Sequence, residues 1–210
     1  MKNLWGAIIG FPLKLRSILI VMVKVSARSL FPQYGEAFFR IPALVLTTED
    51  SVHPHRLLAF FDSRPDFHDL PGPISLLTCS SDDLGISWTP YVPLISARDG
   101  WGFGDACPVA LHDGGILCGY VASQGMNFWD DAAAGSNWKL YVCLSEDTET
   151  WTHRDITAQL WTEETGNLFF ASGNGIQLTT GSHRGRILLP MVERRVNSSA
   201  VSYTHLRAHE

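Results

Sequence analysis

Ser81-Asp82-Asp83-Leu84-Gly85-Ile86-Ser87-Trp88 follows the pattern Ser-x-Asp-x-Gly-x-x-Trp. Each fixed residue type has a local task. The Ser hydroxyl and the Asp carboxylate can accept hydrogen bonds from nearby backbone N–H groups and so close a turn. Gly85 permits a positive φ. Trp88 offers a large apolar surface that can fold back over a hairpin. A second copy, Ser145-Glu146-Asp147-Thr148-Glu149-Thr150-Trp151, begins 64 residues later (145 against 81). It is one residue short and carries Glu149 where glycine would stand. A turn repeated at such a spacing marks a repeat architecture. Ser81, Asp83, Gly85 and Trp88 are therefore read as turn-makers, and Asp83 and Asp147 are not read as catalytic acids.

Around these turns the chain runs in short apolar stretches bounded by Gly, Pro, Asp or Asn. They are Ala43–Leu46, Leu57–Phe61, Ile74–Cys79, Cys107–Leu111, Ile116–Val121, Lys139–Leu144 and Arg186–Val192. Such runs are strand-like. His112-Asp113-Gly114-Gly115 is a hairpin turn between two of them. No segment keeps a 3.6-residue apolar period, so no long helix is expected. Evenly spaced short strands suggest an all-β sandwich, barrel or propeller; the repeated turn resembles the Asp box of sialidases and related β-propellers, and that resemblance implies the propeller.

Composition narrows the function classes. The 210 residues are 45% hydrophobic and 18% charged, with formal net charge −5. No Lys/Arg cluster suggests a nucleic-acid partner. An acidic chain has no general attraction for an anionic ligand, so a few placed arginines would have to bind one. Seven Trp suit a β-rich core or a sugar-binding cleft. Cys79, Cys107, Cys118 and Cys143 lack CxxC spacing and sit in apolar runs, as free buried thiols do. His53-Pro54-His55 has no partner ligand in view. Neither a metal nor a cofactor is expected.

The two ends read differently from the middle. Leu4 to Val25 is apolar but broken by Pro12, Lys14, Arg16 and Lys24, and its longest clean run is Ile18–Val23. That falls short of the roughly 20 residues of a membrane span. Residues 1–28 have the outline of a secretory signal, with Lys2 before the apolar part and small residues at Ser26-Ala27. Secretion or display at the cell surface is favoured over the cytoplasm. Val201–Glu210 resembles the in-frame translation of a sequencing adapter, so residues 201–210 are read as a non-native tail and residues 29–200 as the propeller part.

Phe39-Arg40-Ile41-Pro42 resembles the Phe/Tyr-Arg-Ile-Pro motif that opens the first blade of sialidases. The order that follows is similar to that family as well. Asp62-Ser63-Arg64-Pro65 resembles its Asp-x-Arg-Pro stretch, and Asp69 follows five residues after Arg64. Next come the Asp-box turn at Ser81, Gly102-Phe103-Gly104-Asp105, and Ser172-Gly173-Asn174-Gly175-Ile176-Gln177-Leu178. The resemblance covers about Ser29 to Pro190 and implies about three blades of a six-bladed propeller.

The resemblance also implies roles. Arg40 matches the first of three arginines that bind the sialic acid carboxylate, which a planar guanidinium can grip in a bidentate way. Pro42 is expected to hold Ile41 extended beside it. Asp69 matches the general acid/base. Arg64 and Asp105 match positions that bind the ring hydroxyl beside the N-acetyl group. Asp62 reads instead as a turn or strand-end residue. Phe128, Trp129 and Trp138 lie in a region whose aromatics cover the N-acetyl methyl in the family, although packing accounts for them equally well. The family's Tyr nucleophile, its Glu partner and the other two arginines belong to later blades. Residues 1–210 alone are thus expected to be inactive. The expected activity is that of a retaining exo-α-sialidase acting on glycoproteins, glycolipids and oligosaccharides. A trans-sialidase, a hydrolase of a related nonulosonic acid and a non-catalytic glycan-binding propeller are the alternatives.

Overall fold

The computed structural model describes residues 38–133, 136–198 and, as backbone, 201–207. The signal-like segment 1–28 lies outside the described residues. Three antiparallel sheets follow one another along the chain. The first holds β1 (Phe38–Leu46), β2 (Leu57–Arg64), β3 (Ser75–Ser81) and β4 (Val92–Ile95), in that order. The second holds β5 (Trp101–Ala110), β6 (Ile116–Gln124), β7 (Trp138–Ser145) and β8 (Thr152–Asp155), again in order. The third holds β9 (Thr165–Phe170), β10 (Ile176–Gln177), β11 (Ile187–Arg195) and β12 (Val201–Arg207). Strands β9 and β10 both pair with β11, through Met191↔Phe170 and Leu188↔Ile176, and act as one interrupted strand. The tail residues Val201–Arg207 pair with Leu188–Arg194 of β11. Among the described residues the one α-helix is a single turn, α1 (Thr157–Leu160), and no helix is long and apolar enough to cross a membrane.

The middle sheet is covered on both faces. Phe103, Ile116 and Tyr120 pack with Val45, Leu58, Phe60 and Leu76 of the first sheet. Val109, Val121 and Leu140 pack with Leu168, Phe170, Leu189 and Met191 of the third. This double burial explains why Ile116–Val121 reads as a continuous apolar run, without alternation. The four cysteines are free and buried.

Both repeated turns close the outer pair of strands in a sheet. In the first, Ser81 Oγ donates to Asp83 Oδ1 at 2.7 Å and accepts from Gly85 N–H at 2.8 Å. Asp83 accepts from the N–H and hydroxyl of Ser87 at 2.8 and 2.6 Å. These bonds hold its carboxyl down at about 2, the Ser87 hydroxyl contributing first. Gly85 has φ 87°, and the Trp88 ring lies 3.7 Å from where its Cβ would stand. The shortened copy keeps the scheme with Thr150 as donor to Asp147 and puts Thr148 at φ 66°. Glu149 is used elsewhere. It lies 3.5 Å from Arg56, whose Nε and Nη2 donate to Asp82 at 2.7 and 3.0 Å and whose Nη1 donates to Thr148 Oγ1 at 3.0 Å. Arg56 therefore ties one turn to the other.

The innermost strand of each sheet is broken in the same way. Register slips between Arg40 and Ala43 on β1, and between Gly104 and Cys107 on β5. The third break lies between β9 and β10. Positive φ angles mark all three, at Ile41 (55°), Asp105 (58°) and Gly173 (126°). Such bulges bend a strand and re-aim side chains. The expected extended Ile41 is therefore corrected. Pro42 disfavours the right-handed α region for Ile41, but the bulge places that residue in the left-handed one. For a β-branched residue this costs about 1–3 kcal/mol.

Candidate active site

Both faces of β2 are buried from Leu58 to Asp62. Leu58, Phe60, Asp62 and Arg64 share one face, and all four are buried. Asp62 is thus an interior strand residue, contrary to its reading as a turn or strand end. The Asp62 and Arg64 side chains are each 1% exposed, and Arg64 Nη2 donates to Asp62 Oδ2 at 2.8 Å. The same Nη2 lies 3.1 Å from Asp69 Oδ1, and Nη1 donates to the His68 carbonyl at 3.4 Å. One buried guanidinium therefore holds a buried carboxyl and a carboxylate that is 68% exposed. Asp62 Oδ1 and Arg64 Nε lack hydrogen-bond partners among the described residues.

The loop between β2 and β3 fixes Asp69. Gly72 N–H donates to the Asp69 carbonyl at 2.8 Å, closing a turn through the cis Leu70–Pro71 bond. Leu70 and Ile74 sink into the core on either side of the turn. Phe103 N–H then donates to the Ile74 carbonyl at 2.8 Å and ties the loop to β5. Leu70 N–H donates to Asp69 Oδ1 at 2.8 Å. The backbone is anchored while the carboxylate faces outward.

Asp105 enters from the β5 bulge, and its Oδ1 accepts from the Ser172 hydroxyl of the third inner strand at 2.9 Å. Burial pushes the Asp105 carboxyl up to about 6, with the Asp69 charge in the same direction and the Ser172 bond and Arg64 opposing. Burial likewise pushes Asp62 up to about 7, against the pull of its Arg64 bond, and the Asp105 charge adds to the rise. Asp62 and Asp69 thus share Arg64, the Asp105 charge acts beside them, and Asp62 and Asp105 ionise late. Arg40 stands exposed on β1, cross-strand from Asp62.

The predicted set is therefore brought together in part. Arg64 touches Asp62 and Asp69, and the Asp105 charge acts on that group, while Arg40 stands exposed one strand away, beside the Ile41 bulge. The aromatic candidates divide. Trp138 is 2% exposed and donates from Nε1 to the Leu168 carbonyl at 2.7 Å, a core role. Phe128 packs on Phe169 at 4.9 Å between ring centroids, and its carbonyl accepts from Arg194 Nε at 3.2 Å. Trp129 is 63% exposed and leans on Phe128. Ser81, Asp83, Gly85 and Trp88 lie at the opposite end of β3 from Asp69, some 20 Å of strand away.

No family model matches the chain. A curated sialidase of Micromonospora viridifaciens is 36% identical over 177 residues, which span 78% of this chain and 26% of that protein. The chain thus covers about a quarter of that relative's length. Among solved structures, a Hadza microbial sialidase superposes with TM-score 0.69 at 21% identity, over 81% of this chain and 35% of that one. The NanB sialidase of Streptococcus pneumoniae gives TM-score 0.65 at 13% identity, over 86% and 46%. The intramolecular trans-sialidase of Ruminococcus gnavus, solved with oseltamivir carboxylate, gives 0.62 at 15%, over 82% and 60%. The fold they share with this chain is a β-propeller, of which the three sheets are a part.

Proposed function

On the premise that this chain is a homologue of the sialidases, we propose that it supplies the acid and part of the sugar-binding surface of a retaining exo-α-sialidase. The observation that carries this reading is the buried Arg64, held between Asp62 at 2.8 Å and the outward-facing Asp69 at 3.1 Å, one strand from Arg40.

In this reading Arg40 grips the sugar carboxylate in a bidentate way. Asp69 donates its proton to the glycosidic oxygen as the bond to the anomeric carbon breaks. It then takes a proton from the water that releases the sugar from the enzyme. Arg64 holds Asp69 Oδ1 and so limits where the carboxyl can swing. Asp105 accepts from a ring hydroxyl, while Arg64, expected to bind the sugar but 1% exposed, instead positions Asp62 and Asp69. The nucleophile, a Tyr activated by a Glu in the family, comes from later blades. The substrates are terminal sialosides of glycoproteins, glycolipids and oligosaccharides.

The test is Asp69→Ala in the full-length protein. A lost general acid lowers kcat on a natural sialoside by about 10²–10⁴, and by much less on a sialoside whose aryl leaving group needs no proton. Equal losses on both substrates remove Asp69 from this role.

A further inference from the structure

The stretch that carries Asp69 also carries an exposed aromatic. Phe67 is 74% exposed, although phenylalanine is usually buried. Its ring centroid lies 4.2 Å from that of Phe38, tilted by 44°. Phe67 stands two residues before Asp69, and Phe38 two residues before Arg40. The aromatic pair therefore spans the acid-bearing loop and the arginine-bearing strand. Locally the loop is fixed by Asp66 Oδ1, which accepts the His68 N–H at 2.8 Å. That bond turns the intervening Phe67 outward.

The chemistry of the acid says what should lie there. A group that protonates the glycosidic oxygen must face the leaving sugar, so the sugar on the far side of the scissile bond departs across the Asp69 loop. A hexopyranose presents a face of C–H groups, and such a face packs on the π-surface of an aromatic ring. A ring supported from beneath by a second ring loses little freedom when it binds.

We propose that Phe67, braced by Phe38, forms a stacking platform for the penultimate hexopyranose of the substrate, a binding site on the leaving-group side. The proposal rests on the reading of Asp69 as the acid. The platform would make the enzyme favour sialosides with a sugar in that position over those with a small alkyl group.

The experiment compares Phe67→Ala with wild type in the full-length protein on two substrates, a sialylated disaccharide and methyl α-sialoside. The variant should lose about three- to tenfold in kcat/KM on the disaccharide, chiefly through KM. The loss on the methyl sialoside should be several-fold smaller, and Phe67→Trp should recover the disaccharide rate. Equal losses on both substrates, or no loss on either, overturn the platform while wild-type turnover keeps the sialidase reading. A marked fall in melting temperature with equal losses would assign Phe67 to packing and also overturn it. A wild-type protein that cleaves neither substrate overturns both readings.

Discussion

On the reading of Asp69 as the acid, Gly102→Ala in the full-length protein should weaken acid catalysis without touching a reacting group. A Cβ on Gly102 would stand 2.0 Å from the Gly72 carbonyl oxygen, 2.9 Å from Leu70 Cδ2 and 3.2 Å from Ile74 N. Ordinary contact begins at 3.4 Å, so about 1.4 Å must be found between β5 and the Asp69 turn. Neither neighbour yields easily. The Gly72 carbonyl accepts from Ile74 N–H at 2.8 Å, and the Gly72 N–H holds the Asp69 carbonyl. Strand β5 is in turn tied to Ile74 through Phe103. A shift of about 1 Å at a reacting group costs on the order of 10²-fold in rate. We therefore expect kcat on a natural sialoside to fall about 10²-fold. KM should change little, because Arg40 keeps its place. The aryl sialoside should be affected far less. Overpacking adds a stability loss of about 1–3 kcal/mol, so the assay is run well below the melting temperature. Combined with Asp69→Ala, the substitution should add almost nothing, since both act through one carboxyl. A Gly102→Ala protein with wild-type kcat, or with equal losses on both substrates, would refute the claim that β5 sets the position of Asp69.

Two further outcomes concern stability in the full-length protein. Asp62 ionises near 7 in the fold against 3.8 in the open chain, so its stabilising contribution is present below 3.8 and is lost as pH rises towards 7. Asp62→Asn removes that titration, and its stability relative to wild type should rise between pH 4 and pH 8, by on the order of 4 kcal/mol. Denaturant melts across that range check this, and a pH-independent difference counts against a late-ionising Asp62. Arg56→Ala breaks the link between the two repeated turns and leaves Asp82 and Thr148 without their shared donor. It should cost roughly 1.5–3 kcal/mol in unfolding free energy; a loss below about 0.5 kcal/mol would mean the turns stand independently.

Much of the architecture was legible because it is written locally. The Ser81–Trp88 turn uses donors and acceptors within a few residues of one another, so its pattern survives in the sequence. The apolar runs at Leu57–Phe61, Ile116–Val121 and Lys139–Leu144 mark strands whose burial demands them. Strand β8, Thr152–Asp155, was not legible: it is exposed throughout and carries no apolar residue, and it is held by pairing to β7 and by polar contacts such as His153 with Tyr120. The glycine-rich start of β5 was not legible as a strand either, since Gly102 and Gly104 are small because another backbone and the Asp62 carboxylate press on them. Asp62 was not legible either: Ala59 and Phe61 on the other face of β2 are buried too, so counting in twos from Leu58 and Phe60 does not single it out.

The repeated turns and the all-β character follow from residue type and short spacing in the sequence by itself. The candidates Arg40, Arg64, Asp69 and Asp105 came from the ordered resemblance to the sialidases. Only the tertiary structure decided that Ile41 turns left-handed, that Asp62 and Arg64 share one buried face with Asp69 against them, and that Trp138 belongs to the core. Those outcomes depend on contacts between strands far apart in the chain. A bulge, a buried charge and a buried aromatic ring are properties of the packed sheets, and no stretch of a few residues encodes them alone.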